Sequence, residues 1–268
     1  MRPLAEAEPQ ISRQTVGPRV IAVVNQKGGV GKTTTAINLA SALAEKGNQV
    51  LLIDLDPQAN SSSGVGVDHR RARLNVYDLL CDRAGIDDVA VPTPVAGLYL
   101  VPSNIALAGA EIELATMPER EYRLRHALRD LAGGYGYVLI DCPPSLGLLT
   151  LNALAAAEEM LIPMQSEYFA LEGLAHLLYT QQLVRMNLNP KLTLSGILMT
   201  QFDARTTLAW EVLEEIRQMY PEQLYRTVIP RNVRVSEAPS HGQPVTHYDP
   251  QCRGAYAYRQ LAEEVMSR

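Results

Sequence analysis

The residues with the clearest chemical potential are eight consecutive ones at positions 26–33, with the sequence Gln-Lys-Gly-Gly-Val-Gly-Lys-Thr. Glycines let backbone N–H groups turn inward around phosphate oxygens, and the N-terminus of a following helix favours the same anions. In such a loop Lys32 is expected to reach the β- and γ-phosphates of a nucleotide, and the Thr33 hydroxyl to coordinate Mg²⁺. The predicted nucleotide-binding residues of the loop are Lys27, Gly28, Gly29, Val30, Gly31, Lys32, Thr33 and Thr34.

The loop departs from the strict phosphate-loop pattern at one position. That pattern, G-x-x-x-x-G-K-[ST], requires glycine at position 26, where this chain has Gln26. The chain has instead a second lysine, Lys27, at the start of the loop. A glycine-rich turn with solvent-facing lysines is the alternative interpretation. The Gly-Lys-Thr ending and the place of the loop between a strand and a helix favour phosphate binding.

Aspartates follow two buried apolar runs and supply the acidic groups that phosphoryl transfer requires. Asp54 and Asp56 follow the run 50–53, and Asp141 follows the run 137–140. In open α/β sheets the carboxyl ends of the strands face the ligand crevice. Asp141 is therefore predicted to hold Mg²⁺ through a water molecule, and Asp56 to orient or activate the attacking water. Asp54 is interpreted as a switch carboxylate behind them or as a cap of the following loop.

Alternating strands and helices must position these groups. The first βαβ unit consists of a buried strand at 20–24, a helix at 33–45 and a second strand at 50–53. The stretch 82–101 contains two prolines and is interpreted as irregular. The alternation predicts an α/β fold with a doubly wound, mostly parallel sheet and helices on both faces. Further predicted strands are 137–140, 160–164 and 194–199, and further predicted helices are 119–132, 147–157, 171–186, 207–219 and 253–267.

Composition narrows the class of protein. The 24 Lys+Arg against 29 Asp+Glu give a net charge of −5, which argues against a globally basic nucleic-acid coat. No apolar run reaches the roughly 18–20 residues of a membrane span, and the first residues lack the apolar segment of a signal peptide. Three scattered cysteines form no disulfide framework, which indicates a reduced, cytoplasmic protein. One domain is expected at 19–268, preceded by a flexible arm at 1–18.

Several segments of the chain resemble the ParA/MinD superfamily of ATPases. The loop KGGVGKTTT is similar to its deviant Walker A motif, and DLDPQAN at 54–60 and IDCPPS at 140–145 are similar to two further motifs of that superfamily. The segments 167–173, 202–206 and 229–239 are closely similar to the chromosomal ParA (Soj) branch. Together these segments span nearly the whole chain.

The resemblance implies a P-loop ATPase that uses ATP and Mg²⁺ and acts as a slow switch. Lys27, Lys32 and Asp56 are then the catalytic residues. Lys27 is expected to cross the interface of an ATP-bound homodimer and to touch the nucleotide of the other subunit, whereas ADP lets the subunits part. Pro230 and Asn232 are expected beside the adenine.

The resemblance also implies a partner and a setting. In this family the ATP dimer binds double-stranded DNA without sequence preference, and Arg205 and Arg234 occupy positions that contribute to that binding. The stretch 225–259 has five arginines against two acids, although by itself it would pass for a solvated surface. A ParB-type centromere-binding protein stimulates hydrolysis. A cytoplasmic, nucleoid-associated ATPase that drives chromosome or plasmid segregation is therefore expected.

Other functions would require other residues. A MinD-like membrane-associated ATPase requires a basic amphipathic C-terminal helix, and residues 259–268 have too few basic and bulky apolar residues for one. A ParA relative that positions a protein cargo stays open. An iron–sulfur carrier requires paired cysteines, which are not supplied by Cys81, Cys142 and Cys252. A non-enzymatic scaffold is disfavoured by the intact set Lys32, Thr33, Asp56 and Asp141.

Overall fold

The computed structural model describes residues 17–129, 131, 134–167 and 170–268. Its strands are β1 (Arg19–Val23), β2 (Val50–Asp54), β3 (Val91–Pro92), β4 (Leu98–Val101), β5 (Tyr137–Asp141), β6 (Glu159–Gln165) and β7 (Thr193–Thr200). They form one seven-stranded sheet in the order β3-β4-β2-β5-β1-β6-β7. All neighbouring strands are parallel except the pair β3 and β4.

Helices connect the strands. They are α1 (Lys32–Glu45), α2 (Asn60–Gly64), α3 (Val76–Leu80), α4 (Ile86–Val89), α5 (Leu107–Leu114), α6 (Arg123–Arg129), α7 (Leu148–Ala156), α8 (Ala170–Asn187), α9 (Thr207–Met219), α10 (Val233–Glu237), α11 (Val245–Tyr248) and α12 (Arg253–Ser267), with a 3-10 turn at Ala238–His241. Within the described ranges, no helix combines the length and the apolarity that crossing a membrane requires.

Both faces of the sheet are covered by helices because alternate residues of each strand point to opposite sides. On one side, Ile21 and Val23 of β1 are buried with apolar side chains of α1 and α12. On the other side, Val20 and Ala22 are buried with side chains of α3–α9. Strands buried on both faces are typical of parallel sheets. The prediction of a single doubly wound α/β domain is confirmed.

Both edges of the sheet contain a proline. The two-residue strand β3 forms one edge and ends at Pro92. At the other edge the segment 223–231 runs beside β7, with isolated bridges from Leu224 to Ile197 and from Pro230 to Phe202. This segment is too irregular to form a continuous strand.

The five strands predicted from sequence are confirmed within one residue at either end, and the helices at 207–219 and 253–267 agree with α9 and α12 at every residue. The interpretation of 82–101 as irregular is wrong, because this stretch contains α4, β3 and β4. Strand β4 lies beside β2 and extends the parallel sheet.

Two further predictions concern the helix at 119–132 and the arm at 1–18. The helix predicted at 119–132 begins only at Arg123. Glu119 has a left-handed φ of 51°, which an α-helix does not accommodate. The arm predicted at 1–18 lies outside the described residues except for Gly17 and Pro18.

Candidate nucleotide-hydrolysis site

The segment 24–31 forms a loop between β1 and α1, near the middle of the sheet. Gly29 and Gly31 have φ angles of 77° and 87°, in the left-handed region that favours glycine. A Cβ on Gly29 would meet no atom within 4 Å, so a ligand can approach the backbone closely there. Lys32 is only 7% exposed, and its Nζ donates to the carbonyl oxygen of Lys27 at 2.9 Å. The loop thus curls around the Lys32 ammonium.

Two glutamine side chains that the sequence analysis did not identify hold the loop from outside. Gln165 at the end of β6 and Gln201 directly after β7 each donate Nε2 to the Gly29 carbonyl at 2.8 Å. Thr200 donates Oγ1 to the Val30 carbonyl at 2.7 Å. These bonds hold the loop by its carbonyl groups, whereas the N–H groups of 28–34 donate to no atom among the described residues and can bind an anion.

We expect the paired substitution Gln165→Ala and Gln201→Ala to weaken ATP binding about ten-fold without unfolding the protein. It removes two hydrogen bonds of roughly 1 kcal/mol each from a loop that must hold its shape to bind phosphate. Calorimetric titration with ATP measures the change, and each single variant should lose less. Gln182→Ala, at an exposed position of α8, is the matched control. An unchanged affinity of the double variant would show that the two amides do not shape the loop.

Asp54 is a buried brace at the end of β2. Its Oδ2 accepts hydrogen bonds from the N–H and the hydroxyl of Ser62, at 2.8 and 2.7 Å. Its Oδ1 accepts one from the N–H of Asp56 at 3.2 Å. Burial raises the pKa of Asp54, and the charge of Asp141, its register neighbour on β5, raises it further. Asp54 therefore fixes the segment that carries Asp56.

Asp141 meets the requirements of a Mg²⁺ site. Its Oδ2 accepts a hydrogen bond from Ser61 Oγ at 2.8 Å, whereas Oδ1 is buried with no hydrogen-bond partner among the residues that the structure describes. Burial raises the pKa of Asp141, and the hydroxyls of Ser61 and Thr33 act against that rise. A carboxylate oxygen without a partner, close to a threonine hydroxyl, fits the all-oxygen coordination of Mg²⁺. The residues present thus fit the metal.

Lys32, Asp56 and Asp141 form one cluster beside the loop. Asp56 is 8% exposed, and its Oδ1 accepts a hydrogen bond from the N–H of Gln58 at 2.9 Å. Burial lowers the pKa of Lys32, while the charges of Asp141 and Asp56 act to raise it. The structure therefore brings together one cation and two carboxylates that the sequence placed on three different elements.

Lys27 lies at the rim of the loop, half exposed. Its side chain is 51% exposed, and its Nζ forms an ion pair with Glu167. The spacing of the residues did not indicate this pair, because the two positions are 140 residues apart. Exposed ion pairs contribute little free energy, so Lys27 can exchange Glu167 for a stronger anion.

A cavity of about 270 Å³ lies beside the first turn of α1. Gly31 and Thr34 line one side, and Pro230 and Asn232 line the other. The Oδ1 of Asn232 already accepts a hydrogen bond from the N–H of Arg234 at 2.8 Å, as the cap of α10. The Nδ2 group of Asn232 is left for the predicted adenine contact, and Oδ1 has one lone pair left beside the capping bond, a sharing that the sequence did not reveal.

The arginines predicted to contact DNA are exposed, and each is paired with a carboxylate. Arg205 is 85% exposed and bonded to Asp203. Arg234 is 54% exposed and paired with Glu237 of its own helix and with Asp249, which directly follows α11. Arg259, which contributes to the basic count of 225–259, is bonded to Glu45 and is only 29% exposed. The surface is thus less positive than a count of its arginines indicates.

Comparison with known sequences gives consistent relatives. A family model described as an AAA domain matches residues 18–194. The sporulation initiation inhibitor protein Soj of Bacillus subtilis (strain 168) is 52% identical over 247 residues, which are 92% of this chain and 98% of that protein. The chromosome-partitioning ATPase Soj of Thermus thermophilus is 54% identical over 250 residues, covering 93% and 96%. The chromosome partitioning protein ParA of Caulobacter vibrioides is 52% identical over 252 residues, covering 93% and 94%.

Solved structures share the architecture. Cobyrinic acid a,c-diamide synthase from Mycobacterium smegmatis, with bound ATP analogue and magnesium, superposes with a TM-score of 0.81 at 40% identity, over 92% of this chain and 93% of that one. The cell division ATPase MinD of Pyrococcus furiosus gives 0.77 at 27% identity, over 94% and 99%. Fold, loop and sequence relatives agree, and the chain belongs to the ParA/Soj family of chromosome-partitioning ATPases.

Proposed function

We propose that this ATPase is a dimerising switch that binds ATP and Mg²⁺, binds DNA without sequence preference in its ATP state, and is discharged by a ParB-type partner. The observation that carries the proposal is the cluster of Lys32, Asp56 and Asp141 at an open phosphate loop, with Lys27 exposed at its rim. The first three residues serve hydrolysis within one subunit. Lys27 is the group that can contact the nucleotide of a second subunit.

Each residue of the site has a separate task in hydrolysis. The backbone N–H groups of 28–34 and the Nζ of Lys32 bind phosphate oxygens and neutralise the charge that develops on them. Thr33 and Asp141 hold Mg²⁺, which when bound neutralises further phosphate charge. Asp56 orients the attacking water and accepts its proton.

Lys27 is assigned to the interface between two ATP-bound subunits. In the single subunit its ammonium is paired with one carboxylate, that of Glu167. The triphosphate of a second subunit carries more negative charge than one carboxylate, so Lys27 leaves Glu167 when two ATP-bound subunits meet. ADP lacks the γ-phosphate and holds the lysine less firmly. Hydrolysis therefore sets the lifetime of the dimer.

The cavity beside α1 is assigned to the adenine. Gly31 and Thr34 connect this cavity to the phosphate loop, so a nucleotide can extend from one to the other. Pro230 offers an apolar contact to the base. Asn232 donates from Nδ2 to a ring nitrogen of adenine, while its Oδ1 caps α10.

DNA binding is assigned to the surface that carries Arg205 and Arg234. One subunit presents few arginines there, and both are paired with acids. Two subunits joined by ATP present twice as many phosphate contacts, so firm binding requires the dimer. The ATPase domain is assigned to residues 19–268, and the proposed setting is the cytoplasm, on the nucleoid, with a chromosome or a plasmid as cargo.

Equilibrium DNA binding across a salt series tests the proposal. Affinity should require ATP, be equal for unrelated duplexes and fall with salt, with a log–log slope of about −0.9 per phosphate neutralised. Arg205→Ala or Arg234→Ala is expected to weaken binding to all sequences and, because each subunit of the dimer loses one phosphate contact, to make the slope shallower by about two. Fluorescence anisotropy of labelled duplexes measures both quantities.

The control for this experiment is Arg185→Ala, at an exposed position of α8 that is not assigned to DNA binding. It should bind DNA as the parent does. Weaker binding by the Arg205→Ala variant with an unchanged salt slope would indicate a packing defect instead of a lost phosphate contact. Tight binding without nucleotide, or preference for one sequence, would refute the switch.

A further inference from the structure

A short loop between β7 and α9 carries Arg205 in a defined position. Although the Arg205 side chain is 85% exposed, its Nε donates to Oδ1 of Asp203 at 2.8 Å and its Nη2 to Oδ2 at 2.7 Å. The backbone N–H of Arg205 also donates to Oδ1, at 3.1 Å. Bonds to both carboxylate oxygens fix the plane of a guanidinium as well as its place. The Arg205 guanidinium lowers the pKa of Asp203 to about 2, so the pair is charged at neutral pH.

The backbone of the same loop is held by aromatic packing. Trp210 donates its indole N–H to the carbonyl of Ala204 at 3.0 Å, and its ring meets Phe202 edge to face with centroids 5.1 Å apart. Thr206 donates its hydroxyl to the carbonyl of Asp203 at 3.0 Å. The loop is therefore held by its own contacts in the protein alone, and the guanidinium is bonded to it by two parallel hydrogen bonds.

The Asp203 carboxylate, bonded to Arg205, has two opposite effects on DNA binding. Its charge repels phosphates and weakens binding. Its hydrogen bonds restrict a long side chain that otherwise loses rotamer freedom when it binds, and so they strengthen binding. Asp203 occupies Nε and one N–H of Nη2, so Nη1 and the other N–H of Nη2 remain for a phosphate. The carboxylate and a phosphate can thus bind different edges of one guanidinium.

We propose that Asp203 is a positioning residue for DNA binding, which holds Arg205 with its outer edge toward the phosphate backbone and stays bonded to it in the complex. This inference rests on the proposed DNA contact of Arg205. Arg234 differs, because it makes single contacts to two separate carboxylates, at 2.9 Å to Glu237 and 3.4 Å to Asp249. A fixed guanidinium plane is therefore a property of the Asp203–Arg205 pair.

The substitution Asp203→Asn separates the two effects, because it removes the charge and keeps the shape. Its Oδ1 can still accept from the backbone N–H and the Nε of Arg205, whereas its amide group faces Nη2 as a second donor, so the bond that fixes the plane of the guanidinium is lost. We expect the ATP-bound dimer to lose roughly three- to ten-fold in affinity for a duplex, although a negative charge has been removed.

The matched control is Glu211→Gln, which removes one negative charge from the exposed residue next to Trp210. Because Glu211 does not hold Arg205, this variant should bind DNA as tightly as the parent or slightly more tightly. Dimerisation with ATP is measured for every variant, so that affinities are compared between dimers only. Asp203→Asn is therefore expected to weaken DNA binding, whereas Glu211→Gln should leave it unchanged or strengthen it slightly.

A double-mutant cycle tests whether Asp203 acts through Arg205. In the Arg205→Ala background, Asp203→Asn should no longer weaken binding, because only the repulsion of phosphate is left to remove. Emission of Trp210, the single tryptophan of the chain, reports the loop in each variant. A loss of affinity that persists without Arg205, together with shifted Trp210 emission, would identify a loop defect and overturn the proposal.

An affinity change in the opposite direction also overturns the proposal. If Asp203→Asn binds as tightly as the parent or more tightly, Asp203 merely competes with DNA for Arg205. The proposed function fails in a different way: the parent shows no ATP-dependent DNA binding, or Arg205→Ala binds as well as the parent. Either result refutes the contact of Arg205 with DNA, and the positioning role with it, before Asp203 is changed.

Discussion

Lys32→Ala is expected to lower the affinity for ATP by at least about 100-fold, because it removes charge-assisted hydrogen bonds to two phosphate groups. Lys32 is buried at the centre of the loop, and both Asp56 and Asp141 act electrostatically on it. Without the ammonium, these two carboxylates repel a triphosphate without compensation. Titration with a fluorescent ATP analogue measures the loss, and thermal unfolding without nucleotide confirms that the variant is folded.

Lys27→Ala is the matched control for this variant, because it removes the other lysine of the same loop. Its ammonium lies at the rim and is paired with Glu167, so ATP affinity of the single subunit should be unchanged. The ATP-dependent dimer should not form, which sedimentation or light scattering detects. Equal loss of ATP affinity in both lysine variants would contradict the role of Lys27 between subunits.

Asp56→Ala is expected to slow ATP hydrolysis about 100-fold or more while ATP binding persists, which is the typical effect of removing a general base. In the proposed function hydrolysis ends the dimer, so this variant should accumulate as an ATP-bound dimer. Asp56 suits the task because it is nearly buried, oriented by the N–H of Gln58, and joined through its own N–H to Asp54. Phosphate release in single-turnover conditions measures the rate.

Asp56→Asn sharpens the test, because it keeps the size of the side chain and its bond to the Gln58 N–H. It should hydrolyse ATP as slowly as Asp56→Ala if a proton must be accepted. Hydrolysis by Asp56→Ala at the parental rate would show that another group activates the water.

Local sequence patterns predict structure where one pattern alone determines it. Strands such as β1 and β5 are continuous apolar runs, and their burial on both faces of a parallel sheet requires that composition. No such pattern marks β4, whose four residues follow two prolines and a glycine. Strand β4 is defined by its pairing with β2, a contact between distant parts of the chain.

The site shows the same division between local and distant contacts. The phosphate loop and its lysines are contiguous, so their spacing was enough to identify them. Gln165 and Gln201 were not identified, because they reach the Gly29 carbonyl from 136 and 172 residues away. A count of arginines likewise overestimated the positive charge, because Arg259 pairs with Glu45, a residue distant from it in the sequence.

The prolines at the two sheet edges have a consequence for crowding. On DNA, the proposed setting of this protein, many copies would share a small volume, where an open strand edge lets neighbours add strands and aggregate. Pro92 has no N–H to offer at one edge, and Pro230 has none in the irregular segment beside β7. Copies gathered on DNA therefore have no continuous edge through which to polymerise among the described strands. Their association is then left to the proposed ATP-dependent interface at Lys27, where hydrolysis can undo it and let the copies disperse.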